Sequence, residues 1–241
     1  MNKILHAAGS VIFGITLYYD LVHVRIPSHL LNLPNLSAAA KWPGKLKYLT
    51  FWNLNMLFAF QVLSLVNDIL GSNVQDVKKQ TKLQRYRDFT YASLIFPVGF
   101  FVSLSFWGLY LFDRQLVYPD VMDEFIPSLF NHAVHTGPAV SILVESFLIP
   151  KIYPKRATSL LTTVIFVTVY IFWILWVAFI SDVWVYPILA VLKTPARILF
   201  IAGCAFIFAG MYLIGEKFHL LIWGTKGFTD SQSRSSKKRK Q

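Results

Sequence analysis

The sequence predicts an all-α polytopic integral membrane protein, a bundle of about six transmembrane helices with both termini cytoplasmic. Three observations carry this prediction. Hydrophobic residues make up 55% of the 241-residue chain. Charged residues make up only 15%, against roughly 25% in soluble domains. The charges gather in short stretches, and each apolar run between them is near the ~20 residues that cross ~30 Å of hydrocarbon as a helix.

The runs follow in order at residues 4–24, 48–70, 89–112, 127–149, 159–181 and 196–215. The first follows Lys3 and has no small-x-small site after its apolar region, so a retained helix is expected rather than a cleaved signal peptide. It carries Asp20 and His23 near its end. The second opens on Tyr48, just after Lys47, and both are residue types that anchor a helix at the membrane interface. The third, fifth and sixth are rich in Phe. The fourth is interrupted by Asn131, His132, His135, Pro138 and Glu145. Cys204 is the single cysteine, so no intrachain disulfide exists.

Orientation follows from Lys and Arg between the runs. Lys3, the second loop (Lys78, Lys79, Lys82, Arg85, Arg87), the fourth loop (Lys151, Lys155, Arg156) and the basic C-terminal region fall on one side. The other side holds fewer: Arg25, Lys41, Lys45, Lys47, Arg114, Lys193 and Arg197. Both termini are therefore expected in the cytoplasm. Residues 1–224 form the transmembrane domain in this reading. Residues 225–241, polar and without apolar periodicity, read as a disordered basic cytoplasmic tail.

The net charge of +11 raises nucleic acid as a partner. It is set aside because the basic residues sit in loops and a tail beside apolar spans. An anionic cytoplasmic leaflet suits them better. The endoplasmic reticulum and the plasma membrane both fit.

Polar residues inside a span are costly, so they point to function. The fourth run holds Phe130-Asn131-His132-Ala133-Val134-His135-Thr136. Asn131 and His135 are four apart, as are His132 and Thr136, so two polar stripes project from one helical turn. No metal or cofactor is expected, since His132 and His135 lack nearby carboxylates and no zinc motif accompanies them. In the second run Thr50 lies three residues past Lys47. A Thr there ordinarily bonds the carbonyl four residues back.

These residues carry a resemblance. The pieces Lys47-Tyr48-Leu49-Thr50-Phe51-Trp52-Asn53, Tyr86-Arg87-Asp88, Phe96-Pro97, Phe106-Trp107, Val117-Tyr118-Pro119, Asn131-His132-Ala133-Val134-His135-Thr136, Trp184-Val185-Tyr186-Pro187 and Gly215-Glu216-Lys217 stand in the order of the androgen-induced-gene family of membrane proteins, which the chain resembles from about residue 45 to 223. The resemblance implies an intramembrane threonine hydrolase. Such an enzyme cleaves fatty acid esters of hydroxy fatty acids into a fatty acid and a hydroxy fatty acid. It places the nucleophile at Thr50 and the essential His at His135. Asn131, His132 and Asn53 are the candidates to orient His135 or hold the oxyanion.

Counted along the helices, Thr50 lies ~4.5 Å into its span and His135 ~12 Å into its own, a mismatch of ~7 Å. The expected partner is a lipid ester, whose tails favour the bilayer by ~0.8 kcal/mol per methylene. The Phe-rich third, fifth and sixth runs are expected to line its acyl channel. The alternative is a non-catalytic multi-span lipid-binding receptor or transporter.

Overall fold

The structure, a computed structural model, describes residues 2–31 and 43–224. The tail expected at 225–241 lies outside the described residues. Among the described residues, five helices are long and apolar enough to cross a membrane. The protein is an all-α, multi-pass integral membrane protein.

Helix α1 (Asn2–Val22) packs along α2 (Leu49–Leu70). A short α3 (Lys82–Thr90) runs through a π-helical turn at Tyr91–Ile95 into α4 (Phe96–Asp113). This third segment begins earlier than the apolar run suggested. Thr81 caps it, accepting from the Gln84 amide at 3.2 Å, and Arg87 pairs with Asp88 at 2.7 Å so that both are buried. The π turn leads directly into Pro97, whose missing N–H disrupts the regular ladder.

The fourth run, expected as one stretch, is two helices in tandem: α5 (Ser128–His135) and α6 (Gly137–Leu148). The break has a local cause. Pro138 has no amide to give the Val134 carbonyl and disfavours a helical residue before it. Next come α7 (Arg156–Ser181), a short α8 (Pro187–Val191) and α9 (Thr194–Trp223). The apolar run ended at Gly215 because Glu216 and Lys217 follow, yet α9 continues. Arg156 neutralises Glu216, with Nη2 to carboxylate at 2.6 Å, and lets it be buried. Gly215 permits the close approach of α9 to α4, since a Cβ there would lie 2.7 Å from the Phe96 ring.

Polar contacts show which helix ends lie together. His6 of α1 meets Asp68 of α2 at 2.6 Å and Glu145 of α6 at 3.1 Å. Glu145 pairs with Lys151, and Asp88 accepts from the Ile152 amide at 2.9 Å. The Trp223 indole donates to the Ser146 carbonyl at 2.8 Å. One end of the bundle thus gathers the starts of α1, α3 and α7 and the ends of α2, α6 and α9. The described residues pass along the bundle six times, and Asn2 and Gly224 lie at the same end. That end carries a buried charge cluster, while the opposite end carries the start of α2 and the α5 segment.

Candidate active site

Thr50 stands in the first turn of α2. Tyr48 enters that turn in an extended conformation (φ −90°, ψ 130°), and two tyrosines pin it. The Leu49 amide donates to the Tyr186 hydroxyl at 3.1 Å. The Tyr170 hydroxyl donates to the Lys47 carbonyl at 3.0 Å. The two hydroxyls are 2.7 Å apart. Tyr170 has committed its proton to the carbonyl, so Tyr186 donates to Tyr170. The Trp52 and Trp173 indoles both donate to the Leu46 carbonyl, at 2.7 and 2.9 Å. Burial pushes the Lys47 ammonium, just before this turn, down to about 8.

Across from this turn, the end of α5 brings His135 Nε2 to 3.3 Å from Thr50 Oγ1. The ~7 Å mismatch counted along the sequence assumed that both spans start in one plane as straight rods. The break at Thr136 and the tilt of packed helices remove that constraint. Thr50 therefore bonds across the bundle rather than to its own helix.

The ring of His135 is oriented on two sides. Its Nδ1 lies 2.7 Å from Asn131 Oδ1 and 3.1 Å from the Asn131 carbonyl. The backbone carbonyl accepts whichever way the side-chain amide is turned, so Nδ1 carries the proton in the neutral ring and Nε2 is the acceptor facing Thr50. Phe106 stacks on the imidazole with centroids 3.5 Å apart and planes 7° from parallel. Thr50, His135 and Asn131 thus form a hydroxyl–imidazole–amide chain. The same logic serves any nucleophile with a base and a group that orients the base.

The other two candidates are placed differently. His132 is exposed, with Nδ1 3.0 Å from Thr136 Oγ1 and the Trp107 ring stacked on it at 5.1 Å. The Trp107 indole also donates to Thr136, at 3.1 Å. This group does not touch Thr50. Asn53 lies one turn deeper than Thr50, buried, with both polar side-chain atoms lacking a hydrogen-bond partner. It faces Gly99.

Thr50 borders a cavity of about 120 Å³. Its walls are apolar and come from the three Phe-rich segments: Phe101, Val102 and Phe106 from α4, Val167 and Ile171 from α7, and Phe200, Cys204 and Phe208 from α9. On α4 the lining runs from Phe101 to Leu109 and on α9 from Phe200 to Phe208. Each stretch rises ~12 Å along its helix. Tyr170 and Tyr186 also line it. The sequence did not single out Tyr170, and Phe106 and Tyr186 stood there only within the pieces that carry the resemblance. The Trp-Val-Tyr-Pro piece containing Tyr186 was the available signal for one of these.

Residues 1–220 match the model of the family described as FAR-17a/AIG1-like protein. The chain is 36% identical to the human androgen-induced gene 1 protein over 200 residues, covering 80% of this chain and 84% of that one. It is also 36% identical to the human androgen-dependent TFPI-regulating protein over 189 residues, covering 78% and 80%. A membrane protein of Schizosaccharomyces pombe is 25% identical over 174 residues, 72% of this chain and 74% of its own. No solved structure matches. The chain, a bundle of apolar helices closed around a Thr–His–Asn chain, belongs to the FAR-17a/AIG1-like family of multi-pass membrane proteins.

Proposed function

We propose that this protein is an intramembrane hydrolase that cleaves fatty acid esters of hydroxy fatty acids, with Thr50 as nucleophile and His135 as base. The observation that carries the reading is the Thr50 Oγ1 to His135 Nε2 contact of 3.3 Å at the wall of an apolar cavity. A receptor or transporter needs the cavity but not the oriented imidazole.

In the first half-reaction Nε2 takes the Thr50 proton as Oγ1 attacks the ester carbonyl carbon. The imidazolium that forms keeps its Nδ1–H on Asn131. Collapse breaks the bond to the alcohol oxygen, which takes the proton from Nε2 and leaves as the hydroxy fatty acid. The acyl group remains as an ester on Thr50. Water then enters, His135 removes its proton, and hydrolysis returns free Thr50 and a fatty acid. In the first turn of α2 the Leu49 amide donates to Tyr186, and the Phe51 and Trp52 amides donate to the Tyr48 carbonyl. The Thr50 amide, at the positive end of that helix, is the donor assigned to the developing oxyanion. Asn53, outside the cavity lining, is not given that role. Asn131 is assigned the orienting role and His132 none.

The test is hydrolysis of a defined ester by purified protein, with products read by mass, beside labelling by a fluorophosphonate probe. Thr50→Ala and His135→Ala are each expected to abolish turnover and labelling. Full activity in both variants at normal expression would overturn the assignment. Saturable ester binding that survives Thr50→Ala, with no product from the wild type, would favour the receptor reading.

A further inference from the structure

Arg197 lies one helical turn beyond the cavity on the same face of α9. Phe200, Ile201, Cys204, Ala205 and Phe208 line the cavity, and position 197 continues their spacing towards the start of the helix. Its guanidinium is held by the backbone. Nε donates to the Leu189 carbonyl at 2.6 Å, and Nη2 donates to the Leu192 carbonyl at 2.7 Å. Leu189 itself lines the cavity. The Trp184 ring supports the guanidinium at 3.9 Å from its centroid.

No ion pair among the described residues includes Arg197. Two other cations towards this end have acids. Lys45 pairs with Asp20, and Arg114 pairs with Asp120 and Asp123. A guanidinium has five N–H donors in a planar fork, and carbonyls occupy two of these. The remaining donors suit a carboxylate, which such a fork binds in a bidentate way.

We propose that Arg197 binds the free carboxylate of an ester substrate whose ester carbonyl lies at Thr50. This rests on the hydrolase reading and deepens it, assigning a residue to the carboxylate that such a substrate carries on its alcohol-derived chain. The acyl chain occupies the inner part of the cavity, towards Phe208. The carboxylate stays at the cavity rim, where its charge need not enter the apolar interior. A neutral ester lacks this anchor.

The experiment compares a fatty acid ester of a hydroxy fatty acid with its own methyl ester, in which the carboxylate is neutralised. The full chain is assayed in phosphatidylcholine vesicles. The wild type is expected to show a lower KM for the free acid. Arg197→Gln is expected to raise that KM about ten-fold or more, leaving kcat and the methyl-ester KM unchanged. Arg197→Lys is expected to keep part of the preference. Fluorophosphonate labelling of each variant reports that Thr50 remains in a folded site.

Equal wild-type KM values for the two esters, or a Gln variant that weakens both alike, would overturn the proposal. If Arg197 instead holds a lipid phosphate, phosphatidylglycerol will stimulate wild-type turnover of both esters alike, and Arg197→Gln will abolish that stimulation. That result also overturns it. Turnover that survives Thr50→Ala would overturn the hydrolase reading, a different outcome from failure of the carboxylate preference alone.

Discussion

At the scale of single residues, the proposed chemistry depends on how His135 is held. Asn131 supplies two acceptors to Nδ1, one from the side chain and one from the backbone. Asn131→Ala removes only the first, and stacking on Phe106 persists. The expected result is a fall in kcat of about ten- to hundred-fold, as for a modest misplacement of a reacting group, with little change in KM. Steady-state kinetics on the defined ester checks this. A kcat equal to wild type would assign all the orientation to the backbone and to Phe106. His132, though adjacent in sequence and of the same type, faces outward and pairs with Thr136. Its substitution bears on Trp107 rather than on Thr50.

At the scale of elements, two devices decide where these residues stand. The first is the break between α5 and α6, which ends α5 at His135 and traces to Pro138. The second is the charge cluster at the opposite end. His6, Glu145, Lys151, Arg87 and Asp88 are buried, and the Asp68 side chain is covered; ion pairs link His6, Asp68, Glu145 and Lys151 in one group and Arg87 with Asp88 in a second. Both nitrogens of His6 face carboxylates, which ties α1 to α2 and α6. Glu145→Ala would leave the Lys151 ammonium without its carboxylate. Removing one member of a buried pair costs about 3–5 kcal/mol. A clear drop in Tm in detergent is therefore expected, well beyond that of a surface Glu→Ala control. An unchanged Tm would show that the cluster does not hold the three helices together.

At the scale of the whole molecule, the cavity between α4, α7 and α9 is the proposed site for a chain-shaped ligand. Its inner end is walled by Phe208, which packs against Phe101 and Phe166 with centroids 5.0 and 6.0 Å apart. Phe208→Ala is expected to lengthen the space and shift preference towards longer acyl chains. Each further methylene buried adds ~0.8 kcal/mol, or about four-fold in relative kcat/KM. Competition between esters of graded acyl length measures this. A profile identical to wild type would place the acyl chain elsewhere.

The sequence by itself determined the membrane class, the apolar segments and the short list of polar residues within them. Those follow from composition and from the length a helix needs to cross hydrocarbon, both local properties. Thr50 and His135 were legible through the resemblance, because their neighbours form recurring pieces of sequence. Helix ends were less legible. Gly215 looked terminal because Glu216 follows it, and only Arg156, sixty residues earlier, makes Glu216 compatible with burial. Tyr170 was invisible because a tyrosine in an apolar run reads the same whether it packs or pins a distant turn. Only the tertiary structure decided that Thr50 meets His135, that Asn131 rather than His132 or Asn53 accompanies them, and that the Leu189 and Leu192 carbonyls hold Arg197 one turn beyond the cavity lining. Each is a meeting of residues on different helices or different faces of one helix. Crossing angle, tilt and the break at Pro138 set such meetings, and the periodicity of a single segment does not contain them.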